Sequence, residues 1–328
     1  MTAIRTSALT RRFGDVLAVD ALDLEVRRGE VYGFLGPNGA GKSTTINMLL
    51  GFTPPSSGSA TVLGHDVETE SLAIRREIGV LPEDFGVYSR LSARKHVEFA
   101  VGVKGADDDV DALLERVGLA DAADRKAGGF STGMKQRLAL AMALIGDPEL
   151  IVLDEPSSGL DPNGAREMRQ IVTEEVERGA TVFFSSHIME QVEAICDRVG
   201  IMREGALVAE DSIEDLKAQF DGGSRLIVTV DAVPDDAIAT LEGLAGVDEV
   251  TVDGTDVVAA LADAGRKATV INHLEDAGAV VTDIRTEEAS LDDLFRELTI
   301  GNRTDGTGAG GTGGPDGQRE PDTEAADV

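Results

Sequence analysis

The stretch "GPNGAGKST" at residues 36–44 restricts this chain more than any other. It fits G-x-x-x-x-G-K-[ST] and lies between an apolar β-branched run, "VYGFL", and a helical run, "STTINMLL". Glycine-rich backbone in that setting turns successive N–H groups toward one point, and the following helix adds its positive end. The pattern predicts a nucleotide phosphate cradle of Gly36, Pro37, Asn38, Gly39, Ala40, Gly41, Lys42, Ser43 and Thr44. Lys42 would reach the β- and γ-phosphates and Ser43 would ligate Mg²⁺.

A strand–loop–helix of this kind needs an α/β sheet around it. Residues 1–220 supply one, because short β-branched runs such as "ELIVLDE" and "ATVFFSS" alternate with helical patterns. Continuous apolar strands predict a buried, largely parallel sheet. In "LIVLDEP" the apolar run ends in Asp154 and Glu155, so the strand delivers two acids to the crevice where such sheets bind ligands. Asp154 is placed to hold Mg²⁺, directly or through water, and Glu155 to polarise an attacking water.

The segment "GGS" at 222–224 reads as a linker. Beyond it the order strand, helix, strand, "DGT" hairpin, strand, helix, strand predicts a small ferredoxin-like α+β domain. "SLDDLFRELT" adds a final helix, and the Gly-, Asp- and Thr-rich stretch after Gly301 reads as a disordered acidic tail. No apolar run approaches the roughly 20 residues of a membrane span, and Met1 opens no signal peptide. The single cysteine, Cys196, excludes an intramolecular disulfide.

The formal net charge is −30, with 60 acidic against 30 basic side chains. Such a surface repels nucleic acid and anionic lipid. Spread along the whole chain, it suggests a cytoplasm that accumulates salt.

"FSTGMKQRL" at 130–138 is a second anion-binding pattern, a Ser and a Gly opening a helix. Taken with "GPNGAGKST", "LIVLDEP", "SSGLD" at 157–161 and "TVFFSSHIMEQVEAICDRVGIMREG", it makes residues 4 to about 220 resemble the ATP-binding subunit of an ABC transporter. The resemblance implies ATP and Mg²⁺ as cofactors. It further implies an ATPase domain over 1–221 with a helical subdomain at about 85–147, and a second domain over 225–300 ahead of the tail at 301–328. It gives Phe13 the place of the ring that stacks on adenine, His187 a contact to the γ-phosphate, and Asp161 a place in the D-loop. Ser131 and Gly133 would contact ATP held by a second subunit, most simply a copy of this chain. His65, His96 and His273 match no motif and read as surface residues.

Two positions depart from the family's commonest wording. Thr132 and Met134 replace a Gly and a Gln of the signature, and Glu83, in "IGVLPEDFGVY", stands where Gln is usual. A carboxylate is still a hard oxygen donor for Mg²⁺. The S-x-G-M wording, and "ASLDDLFRELT" near the end, resemble the type-two exporters. That resemblance implies an ATPase driving export through a separate permease, at the cytoplasmic face of the membrane. Repair ATPases of this family carry coiled-coil insertions, and ribosome-associated ones two phosphate loops; neither feature occurs here. Glu155 and His187 count against a regulator without turnover.

Overall fold

The computed structural model describes residues 1–220, 224–234, 237–261 and 264–288. Two long strands, β1 (Thr2–Phe13) and β2 (Val16–Arg27), open the chain as an antiparallel pair. Next, β3 (Val31–Leu35) runs through the phosphate loop into helix α1 (Lys42–Leu49). Strands β4 (Ser57–Val62) and β5 (His65–Asp66) join β1 and β2 in a sheet of order β2-β1-β4-β5. Alternating burial in the "LDLEV" part of β2 is the signal of such a half-buried strand.

Helix α2 (Ser71–Glu77) leads to β6 (Ile78–Leu81), and α3 (Ala93–Lys104), α4 (Val110–Arg116) and α5 (Thr132–Ala143) form the helical region. The chain then alternates through β7 (Leu150–Asp154), α6 (Pro162–Glu177), β8 (Thr181–Ser186) and α7 (Met189–Glu193) to β9 (Arg198–Arg203), β10 (Ala206–Ser212) and α8 (Ile213–Phe220). The second sheet has the order β10-β9-β3-β8-β7-β6, parallel except for the β9–β10 edge. Every residue of β3, β7 and β8 is buried, which is why these strands read as continuous apolar runs.

Beyond these, β11 (Ser224–Val230), α9 (Ala237–Glu242), β12 (Val247–Asp253), β13 (Asp256–Leu261), α10 (Lys267–Asp276) and β14 (Val281–Glu288) form an antiparallel sheet of order β12-β13-β11-β14. This is the ferredoxin-like order, with Gly254 at φ 62° turning the "DGT" hairpin. Most of the expected linker, the helix at 290–299 and the tail at 301–328 lie outside the described residues. Among the described residues no helix is long and apolar enough to cross a membrane.

One sequence expectation is corrected: His96 is not a surface residue but a buried one, 3% exposed. Its Nδ1 donates to the Ser92 carbonyl at 2.7 Å, and its Nε2 accepts the Tyr88 N–H at 2.9 Å. Two backbone partners satisfy a neutral ring, so burial carries no charge penalty. It therefore fastens the loop after β6 to α3.

The helical region is tied to the core by a buried acid. Glu175 on α6 takes Arg116 of α4 in a two-pronged pair, with Nη2 to Oε2 at 2.5 Å and Nε to Oε1 at 3.3 Å, and Arg178 on its Oε1. Glu175→Ala removes the carboxylate from Arg178 and leaves Arg116 only the exposed Asp147. It should lower the unfolding free energy by about 3 kcal/mol, read by denaturant titration.

Candidate functional site

The parallel register brings the site together. Leu35 pairs with Ser186, Asp154 with Ser185, and Leu81 with Leu153. Strands aligned in this way end along one line, so the residues just past β3, β6, β7 and β8 share one crevice. Those residues are the phosphate loop, Glu83, Glu155 and His187.

In the loop, Gly39 and Gly41 take φ 85° and 107°, where a side chain is strained. A Cβ on Gly41 would sit 2.4 Å from the Ala18 carbonyl oxygen. The loop is braced from behind. The Gly36 N–H donates to the Ser186 carbonyl at 3.2 Å, and the Gly205 N–H donates to that of Ala40 at 3.0 Å. Helix α1 begins at Lys42, so its first N–H groups have no partner within the helix. The resulting cleft, about 330 Å³, is lined by Pro37, Asn38, Gly39, Gly41, Lys42, Ser43 and Thr44. Glu83, Glu155 and Val16–Ala18 complete the wall.

Lys42 is buried, and its ammonium donates to the Gly36 carbonyl at 2.7 Å. It also stands 3.4 Å from Glu155 Oε1. That is an ion-pair distance without hydrogen-bond geometry, and Glu155 Oε1 is a buried oxygen with no hydrogen-bond partner. The other oxygen, Oε2, accepts from His187 Nδ1 at 2.9 Å, which leaves the Nε2 of the histidine for another contact. Ser186 fixes the histidine's approach, its hydroxyl accepting the Ile188 N–H at 3.0 Å. Glu155 itself has φ 49°, a left-handed backbone that a non-glycine residue adopts only under constraint.

Asp154 is buried and accepts from the Ser185 hydroxyl at 2.5 Å. Burial raises its pKa, the Glu155 carboxylate raises it further, and Ser185, Lys42 and Ser43 oppose the rise. Burial also raises the pKa of Glu83, followed by Asp154 and Glu155. Among the described residues no group of three or more His, Cys, Asp or Glu could hold a metal by itself. Asp154, which interacts with the Ser43 hydroxyl, offers oxygen donors of the kind Mg²⁺ takes, one or two from protein with water and phosphate completing its shell.

Other expected residues stand outside the cleft lining. Ser131 caps α5, accepting the Met134 N–H at 3.3 Å, and Gly133 lies in the first turn of that helix. Asp161 caps α6, accepting the Gly164 N–H at 2.7 Å. Phe13 ends β1 half-exposed, with the Arg11 guanidinium 4.4 Å over its ring. Sequence reading missed Ser185, although it lies in the quoted "VFFSSH" run, and the wall at Val16–Ala18, whose place depends on β1–β2 pairing.

A family model described as ABC transporter matches residues 19–158, and one described as ATP-binding protein DrrA1-3-like, C-terminal domain, matches 212–299. The bacitracin transport ATP-binding protein BcrA of Bacillus licheniformis is 36% identical over 308 residues, 93% of this chain and 99% of its own length. The daunorubicin resistance ATP-binding protein DrrA3 of Streptomyces coeruleorubidus is also 36% identical over 308 residues, covering 92% and 97%. Among solved structures, cbiO1 from Clostridium perfringens, part of an ABC transporter complex, aligns at TM-score 0.61 and 29% identity over 66% of this chain and 91% of its own. A dimeric ATP-binding cassette in a post-hydrolysis state, bound to ADP and Pi, aligns at TM-score 0.58 and 25% identity over 64% and 98%.

A carboxyl with a raised folded-state pKa weakens the fold as pH climbs from its ordinary value toward the raised one, and the penalty persists above that. Asp154→Asn keeps an oxygen for Ser185 and removes the charge. It should raise the melting temperature of the nucleotide-free protein at pH 7. The gain should shrink as pH falls toward 3.8, the ordinary aspartate value, as calorimetry across that range would read.

Proposed function

This chain belongs to the ATP-binding subunits of ABC transporters, of the BcrA- and DrrA-like drug-export type, and from that premise we propose how its residues divide the work. It is the ATPase that powers export through a separate membrane permease. The residue assignments rest on one observation: Glu155, in the wall of the cleft, stands beside Lys42 with one oxygen and takes His187 on the other, while Ser131 and Gly133 do not line that cleft.

ATP lies with its phosphates in the loop 36–44, where Lys42 exchanges its carbonyl contacts for β- and γ-phosphate oxygens. Phe13 packs against the adenine near the mouth. The free Oε1 of Glu155 accepts a proton from water as the water oxygen bonds the γ-phosphorus and the bond to ADP breaks. His187 holds the other oxygen of that carboxylate and turns Nε2 to the γ-phosphate. Ser43, Glu83 and Asp154, the last directly or through water, would hold Mg²⁺, which would supply positive charge to the phosphates.

Ser131 and the Gly133 N–H complete the γ-phosphate site of a second subunit, with Asp161 on the adjoining segment. Since one chain carries both halves, the working unit is a head-to-tail homodimer. It works against the cytoplasmic face of the membrane. Residues 1–221 form the ATPase domain, and the domain at 225–300 has a structural or dimer-stabilising role.

Glu155→Gln should bind ATP, lose at least about 100-fold in turnover and accumulate as an ATP-bound dimer. Light scattering in molar KCl, which screens the acidic surface, reads the dimer, and unchanged turnover would remove Glu155 from the role of base. Glu83→Gln keeps an oxygen ligand. It should retain ATPase activity within about tenfold of the parent, a barrier change of no more than about 1.4 kcal/mol, as phosphate release measures.

A further inference from the structure

Beside the phosphate cleft lies a second cavity of about 390 Å³, lined by Glu83, Phe85, Thr132, Lys135, Gln136 and Ser158 among others. Glu83 is a wall of both. Gln136, on the helix that Ser131 caps, is 9% exposed, and its amide oxygen Oε1 is buried without a hydrogen-bond partner. A buried acceptor left unpaired costs about 1–3 kcal/mol, so an apolar side chain of that size would serve a static fold better.

The segment carrying Ser158 is already packed on this helix. A methyl group placed on Gly159 would lie 3.6 Å from Thr132 Cγ2, and one on Gly133 would lie 3.6 Å from a methyl of Leu160. The backbone of Ser158 is also tied to the active carboxylate, its N–H donating to the Glu155 carbonyl at 3.0 Å. Ser158 is exposed and shares the cavity with Gln136. The cavity thus joins the loop after β6, the start of α5 and the segment that follows Glu155.

We propose that Gln136 is a positioning residue whose amide oxygen receives the Ser158 hydroxyl when two chains close on ATP. The bond locks the segment behind Glu155 to the helix that presents Ser131 and Gly133. The proposal rests on the head-to-tail reading above. It accounts for an unpaired polar atom in the open chain, since the partner arrives only on closure.

The test uses the full chain carrying Glu155→Gln, titrated with ATP in molar KCl and followed by light scattering, with fluorescent-ATP binding and melting temperature measured alongside. Gln136→Met should leave ATP affinity unchanged and the melting temperature equal or higher. It should also raise the ATP concentration for half-dimerisation about tenfold, the scale of one hydrogen bond. Ser158→Ala should do the same, Ser158→Thr should stay near the parent, and the Gln136→Met, Ser158→Ala pair should be no worse than the worse single change. Dimerisation of Gln136→Met within twofold of the parent, or losses that multiply in the pair, overturns the proposal. A Gln136→Met protein that melts lower and binds ATP weakly points to packing alone and also overturns it. A Glu155→Gln parent that binds ATP yet stays monomeric overturns the head-to-tail reading, and this inference with it.

Discussion

The in-register pairing of β6, β7, β8 and β3 is the constraint on which the cleft depends. Slipping β7 by one residue would exchange its faces and carry Asp154 away from Ser185. The strands are buried on both sides, so the register is held by packing rather than by the site itself. The site can then carry features that cost stability. Glu155 sits in left-handed backbone, which costs about 1–3 kcal/mol, and Asp154 is buried with its pKa raised. Neither would survive at a frayed edge. At the ends of central strands, the surrounding sheet overdetermines both.

Much of this was legible in the sequence, for physical reasons that differ between elements. The parallel strands announce themselves because burial on both faces removes charged residues until the strand ends; the acids of "LIVLDEP" mark that end. The phosphate loop is legible because only glycine tolerates its turns and its close backbone contacts. The sheet of β1, β2, β4 and β5 is harder to read, since its strands carry bulges and sit half in water. His96 misled because a histidine's burial depends on two backbone partners, one of them eight residues away at Tyr88. Phe13, Asp161 and Gln136 show a different limit. Sequence gives the first two a motif position and merely carries the third within "FSTGMKQRL", but only the fold shows Arg11 over the first, a helix capped by the second and an unpaired oxygen on the third.

The net charge of −30 bears on the proposed assembly in a way the cleft alone does not. Two identical acidic chains repel at separations up to the Debye length, about 8 Å at physiological ionic strength. Within the cleft the balance also tilts negative, because Asp154, Glu155 and Glu83 surround a single lysine, Lys42. An empty pair of chains therefore gains little from meeting. ATP with its cation changes the local sum. In the proposed dimer the cation would offset the cleft's own acids, and the phosphate oxygens would meet N–H groups from α1 on one side and from α5 of the other copy. The general acidity then opposes association without ATP, so it sharpens the dependence of closure on nucleotide. On this reading the acidic surface and the two anion-binding helix starts belong to one mechanism. The first keeps two copies apart, and the second draws them together only around a shared phosphate.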